Sequence, residues 1–266
     1  MKYKLIASDL DGTLLNGESE LTPRTKAALL KAVEAGALFV VATGRAVRGV
    51  ESLCELFDKD MPFIVFNGAS AIMCKSRRTL FNKFLDIAPA KEAYELGMGL
   101  GIPMAVWTDK RLWVSGSHEA TEAYRNLYGM DRLIITDLGR LSGENIYKVI
   151  WVGSAEDIRR YQSEMNERFA GKMNCHSSMP QYLEFVCPKA GKGSALEDIG
   201  RLFGIDRSEM IAVGDGYNDI SMLEYAGLGV AVENAPDDVK AASDLVTLSN
   251  SADGVAAVIE EYILSR

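Results

Sequence analysis

The sequence is poor in several features that would each point to a particular class of protein. Only two of its 266 residues are histidines, and its four cysteines include no C-x-x-C pair. No apolar run approaches the roughly 20 residues that a helix needs to cross a bilayer. Acidic residues outnumber basic ones, and the formal net charge is −8. These shortages argue against a histidine- and cysteine-based metal site, a transmembrane protein and a nucleic-acid-binding protein, because nucleic-acid affinity depends on a basic surface.

What remains is the composition of an ordinary globular protein. Hydrophobic residues make up 48% of the chain and charged residues 25%, which is typical of soluble domains. The apolar segment at the amino end meets Asp9 too early for a signal peptide, so we expect a cytoplasmic protein. We also expect reduced, packed cysteines, no contact with membranes or nucleic acids, and no obligatory protein partner.

Apolar runs that end in polar or glycine-rich turns occur at both ends of the sequence. They lie at residues 4–8, 37–42 and 63–66, and again at 210–213, 229–232 and 245–247. Such continuous runs are typical of strands that are buried on both faces of a parallel sheet covered by helices. A helix beginning at Thr22 and Pro23 and ending at Gly36 separates the first two runs. We therefore predict an α/β fold in which both ends build one doubly wound, Rossmann-like parallel sheet.

A different pattern fills the middle of the chain. Between residues 84 and 186 the strand-like segments alternate polar and apolar residues, and all three tryptophans lie here. Alternation of this kind predicts half-exposed antiparallel strands. We therefore predict an inserted α+β domain at 84–186, with the core formed by 1–83 and 187–266.

Two carboxylates, Asp9 and Asp11, directly follow the first apolar run. Like charges this close raise each other's pKa unless a metal ion or a fixed lysine compensates them. Gly12 lets the backbone turn tightly, which leaves amide N–H groups free to face an anion. The pattern indicates a carboxylate nucleophile, a neighbouring acid/base and a hard metal ion that together act on a phosphate. An acidic turn that binds calcium or caps a helix is the simpler alternative.

Three further polar segments follow apolar runs or precede helices, and two of them have simple explanations when taken alone. Residues 43–45, Thr-Gly-Arg, could be a helix N-cap, and Lys192 could be a surface lysine. Residues 214–219 place three acceptor side chains within five residues after a strand, which a turn alone does not need. Since ligands bind at the carboxyl edge of open α/β sheets, we expect these segments to share one site there.

In their order and placement, these segments resemble the motifs of the haloacid dehalogenase superfamily, and within it the Cof-type, sugar-phosphatase-like hydrolases. The motifs correspond to residues 9–13, 43–45, 192–193 and 214–219, and residues 66–69 look like a turn common in this branch. The resemblance covers the whole chain. It implies that the insertion at 84–186 is a cap domain.

The resemblance also implies a Mg²⁺-dependent phosphatase with defined residue roles. Asp9 would be the nucleophile that forms an aspartyl-phosphate, Asp11 would donate and then accept the proton, and Lys192 would balance the charge. Asp9, the backbone carbonyl of Asp11 and Asp215 would bind the metal, while Asp219 would hold a metal-bound water or orient Lys192. The implied phosphate- and substrate-binding residues are Leu10, Thr43, Gly44, Arg45, Asn67, Asn218 and Lys192. For Arg45 a surface salt bridge is the alternative to substrate contact.

Alternatives to the phosphatase function remain at this stage. A phosphomutase would pass the phosphoryl group to a sugar hydroxyl instead of water. A non-catalytic phosphometabolite-binding protein would keep the fold without turnover, although the presence of Asp9, Asp11, Lys192 and Asp215 argues against it. Polar and aromatic residues of the cap could contact a small phosphorylated metabolite or merely pack: Trp107, Arg111, Trp113, His118, Tyr182 and Glu184.

Overall fold

The chain folds into two compact units. The computed structural model describes residues 2–116, 118–127, 133–141 and 143–265. One unit comprises Met1–Phe81 with Gly191–Arg266, and the other is Asn82–Ala190. The first unit is therefore built from both ends of the chain, and its boundaries fall a few residues from those that the sequence suggests.

The strands and helices are distributed over both units. The strands are β1 Leu5–Ser8, β2 Leu38–Ala42, β3 Pro62–Val65, β4 Ser70–Met73, β5 Thr79–Asn82, β6 Met104–Thr108, β7 Leu112–Val114, β8 Ile146–Val152, β9 Asn174–Met179, β10 Tyr182–Val186, β11 Met210–Gly214, β12 Leu228–Val232 and β13 Leu245–Thr247. The α-helices are α1 Pro23–Glu34, α2 Glu51–Cys54, α3 Ile87–Gly99, α4 Glu119–Leu127, α5 Ala155–Arg168, α6 Lys192–Phe203, α7 Ile220–Tyr225, α8 Asp237–Ala241 and α9 Gly254–Ile259.

A mainly parallel sheet forms the first unit, with strand order β13-β12-β11-β1-β2-β3-β4-β5. β1 lies between β11 and β2 and runs parallel to both, while β4 runs antiparallel to β3. Every residue of β1 and β11 is buried, which explains their continuous apolar sequences. The predicted α/β core is thus confirmed.

A separate antiparallel sheet forms the second unit, with strand order β7-β6-β8-β10-β9. One of its faces packs on a hydrophobic cluster that includes Trp151, Phe169 and Phe185. The predicted inserted α+β cap is confirmed, and from here this unit is called the cap.

The prediction that the cap strands are half-exposed was wrong for β6, β8 and β10, because all their residues are buried. The alternation in β8 and β10 comes from Lys148 and Glu184, which are both 2% exposed. Lys148 Nζ donates to Glu184 Oε1 over 2.8 Å. A polar position in these strands is therefore satisfied by its neighbour across the sheet instead of by water.

Three strands were not predicted from the sequence. β9 is made mostly of polar and small residues (NCHSSM), so its own sequence does not predict a strand and its pairing with β10 makes it one. β4 and β5 extend the core sheet beyond β3 through local hairpin geometry. None of the helices in the described part of the chain combines the length and the apolar character that a membrane span requires.

Candidate active site

Four predicted polar segments follow or lie beside neighbouring strands of the core sheet. Asp9 comes directly after β1, Thr43 after β2, and Asp215 after β11. The turn at Phe66–Gly68 follows β3. Because β11, β1, β2 and β3 are adjacent and parallel, their carboxyl ends meet at one edge of the sheet.

After Asp9 the chain turns at Leu10–Leu14, with non-helical backbone at Asp11 and Gly12, and the N–H of Leu15 closes the turn by donating to the Leu10 carbonyl over 2.9 Å. Gly12 has a φ of +79°, and a Cβ at this position would lie 2.5 Å from Asp215 Oδ2. Only glycine satisfies both conditions. The Asp215 carboxylate therefore lies against the turn that follows Asp9.

Lys192 is the buried cation of the site. It is the first residue of α6 and is 1% exposed. Its Nζ donates to Asp9 Oδ1 and to Asp219 Oδ1, each over 2.5 Å. Burial disfavours the ammonium, but the carboxylates of Asp219 and Asp9 outweigh that effect and raise the pKa of Lys192. Lys192 therefore stays charged between two carboxylates.

Asp219 holds this arrangement in place. Its second oxygen, Oδ2, accepts hydrogen bonds from the backbone amides of Asp215 at 3.0 Å and Gly216 at 2.8 Å. The side chain is completely buried. Of the two roles considered for Asp219, orienting Lys192 is the one that these contacts match.

Three carboxylates converge beside Lys192. One oxygen from each of Asp9, Asp215 and Asp219 lies within 4.8 Å of the others. Three carboxylates and one ammonium leave a formal charge of −2, which a divalent cation would neutralise. Burial raises the pKa of Asp9 well above its usual value, against the opposing effect of Lys192, and burial also raises that of Asp215. The all-oxygen donor set suits a hard cation such as Mg²⁺.

A cluster of polar groups lies at the ends of β2 and β3. Thr43 is buried, and its Oγ1 accepts the N–H of Arg45 over 3.1 Å, so its hydroxyl can still donate its proton. Asn218 Nδ2 donates to Asn67 Oδ1 over 2.9 Å. A Cβ on Gly44 would lie 3.0 Å from that same Asn67 oxygen. The predicted phosphate-binding residues therefore fit tightly together.

Arg45 and Asp11 form an ion pair. Arg45 Nε donates to Asp11 Oδ2 over 2.9 Å and Nη2 donates to Oδ1 over 2.5 Å. Asp11 is half-exposed, and its carboxylate does not belong to the acidic cluster. For Arg45 the structure therefore shows the salt bridge that the sequence left as one of two alternatives, and its partner is Asp11, the predicted proton carrier.

Two residues of the site received no individual role from the sequence. Thr13 Oγ1 donates to Asp215 Oδ1 over 2.6 Å, which links the β1 and β11 segments. Asn234 Nδ2 donates to the Gly12 carbonyl over 2.8 Å. Asn234 comes after β12 at the same sheet edge. The expectation that ligands bind at the carboxyl ends of parallel strands, applied to β12 as well, would have identified it.

Several of the cap candidates are bound into the cap's own structure. Trp107 Nε1 donates to Tyr124 Oη over 2.9 Å, and Tyr124 packs edge-on against Tyr182. Trp113 and Arg111 both contact Glu144. These contacts account for the burial or orientation of the side chains without a ligand.

Comparison with known proteins identifies close relatives over the full length of the chain. A family model described as haloacid dehalogenase-like hydrolase matches residues 6–259. The putative phosphatase YxeH of Bacillus subtilis (strain 168) is 29% identical over 99% of this chain and 100% of its own. The 5-amino-6-(5-phospho-D-ribitylamino)uracil phosphatase YwtE of the same organism is 31% identical and covers 98% of both chains.

A solved structure shows the same architecture. The crystal structure of a haloacid dehalogenase-like hydrolase from Bacteroides thetaiotaomicron superimposes with a TM-score of 0.84 at 32% identity. The match covers 97% of this chain and 98% of that one. The agreement extends over both units of the sequence.

Proposed function

The chain belongs to the haloacid dehalogenase-like hydrolase family as a phosphatase, and we propose that it hydrolyses small phosphomonoesters through an aspartyl-phosphate on Asp9. The observation that carries this proposal is the contact between Asp9 and the buried ammonium of Lys192, 2.5 Å apart. A carboxylate held this way has a fixed direction, and the ammonium offsets part of its charge. It can therefore approach a phosphate dianion that would otherwise repel it.

The residues divide the reaction into two displacements. Asp9 attacks phosphorus, an Asp9–phosphorus bond forms, and the ester oxygen leaves with a proton from Asp11. Water then attacks the same phosphorus, Asp11 takes its proton, and inorganic phosphate departs from the regenerated Asp9. Lys192, the Thr43 hydroxyl and the first amides of the Leu10–Leu14 turn stabilise the transferring oxygens in both displacements.

The acidic cluster would hold Mg²⁺ through Asp9 and Asp215, with the backbone carbonyl of Asp11 as a further oxygen ligand. When bound, the ion offsets the negative charge that accumulates where carboxylate and phosphate meet. Asp219 supports this site indirectly, because its oxygens are engaged by Lys192 and two backbone amides.

Sugar phosphates and phosphorylated sugar alcohols are the substrate class that we propose. Support comes from the relative YwtE, whose name specifies a phosphoribityl-substituted pyrimidine. A screen for phosphate release across hexose, pentose and ribityl phosphates, nucleotides and flavin mononucleotide would define the class. Conversion of a hexose 1-phosphate to its isomer without phosphate release would instead establish a mutase.

Substitution of Asp9 by asparagine tests the mechanism. We expect Asp9→Asn to lower kcat for p-nitrophenyl phosphate by at least about 10³-fold, because an amide is not a nucleophile. The acid-quenched wild-type enzyme should carry a phosphoryl group on the peptide containing Asp9. Asp237→Asn is the matched control, since this aspartate on α8 is fully exposed. Near-normal activity of Asp9→Asn would refute the proposal.

A further inference from the structure

Asp9 and Asp11 are two positions apart in the chain but occupy different surroundings. The Asp9 side chain is 9% exposed and contacts Lys192. The Asp11 side chain is 50% exposed and contacts Arg45. The acidic oxygens that lie within 4.8 Å of one another come from Asp9, Asp215 and Asp219, whereas Asp11 contributes none. Something other than the acidic cluster therefore fixes the direction of the Asp11 carboxylate.

The Arg45 guanidinium provides that fixation. It donates two parallel hydrogen bonds to the two oxygens of Asp11, from Nε at 2.9 Å and Nη2 at 2.5 Å. A planar fork of this kind sets the orientation of a carboxylate, as well as its position.

Arg45 is itself held at both ends of its side chain. Its backbone N–H donates to Thr43 Oγ1, and its third guanidinium nitrogen, Nη1, donates to the Gly49 carbonyl over 2.9 Å. A Cβ on Gly49 would lie 3.1 Å from both Cβ and Cδ of Arg45. The absence of a side chain at residue 49 thus makes room for the arginine.

The geometry of an in-line displacement explains why Asp11 would need to be held away from Asp9 by Arg45. When Asp9 attacks phosphorus from one side, the leaving oxygen departs on the opposite side. The carboxyl that protonates the leaving oxygen must therefore stand apart from Asp9, and Asp11 does so because Arg45 holds it.

We propose that Arg45 is a positioning residue that acts through Asp11 and directs its carboxyl toward the leaving oxygen of the substrate. This inference rests on the proposed function, because it needs Asp11 as the proton carrier. A lysine would keep the charge but present a single point donor instead of a fork.

A double-mutant cycle tests whether Arg45 acts through Asp11. We expect Arg45→Lys to lower kcat about 10-fold with KM changed less than about twofold, since misplaced acid/base groups lose rate more than binding. In an Asp11→Asn background the same substitution should change kcat less than about twofold. An equal loss in both backgrounds, or a loss confined to KM, would overturn the inference in favour of direct substrate contact or a purely structural role.

A comparison of leaving groups provides an independent readout. Here kcat/KM reports the first displacement, in which an alkyl oxygen needs a proton far more than p-nitrophenolate does. Arg45→Lys and Gly49→Ala, which displaces the arginine without removing it, should each lower kcat/KM more for glycerol 3-phosphate than for p-nitrophenyl phosphate. An equal loss of kcat/KM on both substrates would overturn the inference. This holds even if Asp11→Asn turns over too slowly for the double-mutant cycle to be measured.

Controls separate this inference from the proposed function. Arg48→Lys, on the same turn and exposed, should keep full activity. Suppose that Asp9→Asn and Asp11→Asn abolish turnover, but Arg45→Lys gives neither the result expected in the double-mutant cycle nor that expected in the leaving-group comparison. Then only the inference about Arg45 is refuted. If Asp9→Asn stays active, the function itself falls.

Discussion

At the scale of single residues, the turn after β3 is a tightly constrained part of the site. Phe66, Asn67 and Gly68 have φ values of +52°, +54° and +90° in succession. Non-glycine residues adopt this left-handed region at a cost, although asparagine tolerates it better than most. A Cβ on Gly68 would lie 2.2 Å from the Gly191 carbonyl oxygen. The turn is therefore pressed against the start of α6, which carries Lys192.

Two substitutions at Asn67 separate its backbone role from its side-chain role. Both Asn67→Ala and Asn67→Gly lose the hydrogen bond to Asn218, so we expect equal falls in kcat/KM. Asn67→Ala should unfold with a free energy about 1 kcal/mol lower than Asn67→Gly, because alanine resists a positive φ. Urea denaturation and phosphate-release assays measure the two effects. Unequal activities would show that backbone strain, and not the amide, supports catalysis.

At the scale of elements, the cap sheet contains a buried ion pair between β8 and β10. The side chains of Lys148 and Glu184 are 2% and 3% exposed, and His176 Nε2 lies 3.8 Å from the other oxygen of Glu184. Removing one partner of a buried ion pair leaves the other charge buried without a partner, whereas replacing both with apolar residues is often tolerated.

The free energy of unfolding of the cap should differ between removal of one partner of this ion pair and replacement of both. We expect Lys148→Met to lower the free energy of unfolding of the cap by about 3–5 kcal/mol, and addition of Glu184→Leu to recover most of the loss. Tryptophan fluorescence during urea denaturation measures the cap selectively, because all three tryptophans lie in it. A double variant less stable than Lys148→Met would contradict the prediction.

The same elements show what the sequence could and could not predict. The strands β1, β2 and β11 were predictable because burial on both faces leaves an unbroken apolar run. The expectation that ligands bind at the carboxyl ends of parallel strands then located the segments of the candidate site. The family and fold inferred from those segments are confirmed. β9 was not predictable, since its strand conformation comes from pairing with β10 and not from its own residues.

Side-chain pairing was the other limit of sequence reasoning. Nothing in the spacing of Asp11 and Arg45 distinguishes an arginine that contacts substrate from one that holds a carboxylate. That choice depends on rotamers and on the space beside Gly49, which only the folded chain reveals. The charge-balancing role of Lys192 likewise came from the family resemblance and not from its local sequence, and its burial was not predicted.

At the scale of the whole molecule, the metal binding that we propose for the acidic cluster would stabilise the fold. In metal-free protein the pKa of Asp215 is raised, chiefly by burial. A carboxyl with a raised folded-state pKa destabilises the fold above that pKa, and the penalty disappears as the pH falls below the unfolded value. The metal-free protein therefore loses stability as the pH rises from the unfolded value through the folded-state pKa of Asp215.

Thermal unfolding at pH 7 checks this link. We expect Mg²⁺ at about 100 times its Kd to stabilise the wild type by about 2.7 kcal/mol. Asp215→Asn should melt at a higher temperature than the wild type in EDTA, because it removes the ionised group but keeps an acceptor for Thr13. It should also lose the response to Mg²⁺. Circular dichroism melts of both proteins, with and without Mg²⁺, measure these shifts, and an unchanged Mg²⁺ response in the variant would contradict the metal assignment.

The position of β1 between β2 and β11 has a consequence for the nascent chain during translation. β1 and β2 emerge early and can pair at once, but the opposite edge of β1 has no partner until β11 has been synthesised. Asp9 and Lys192 are 183 positions apart, so through most of translation the nascent chain presents an open β1 edge and an Asp9 carboxylate without its lysine partner. Chaperones that cover exposed strand edges would act during that interval, and hydrolysis can begin only after the last third of the chain has been released.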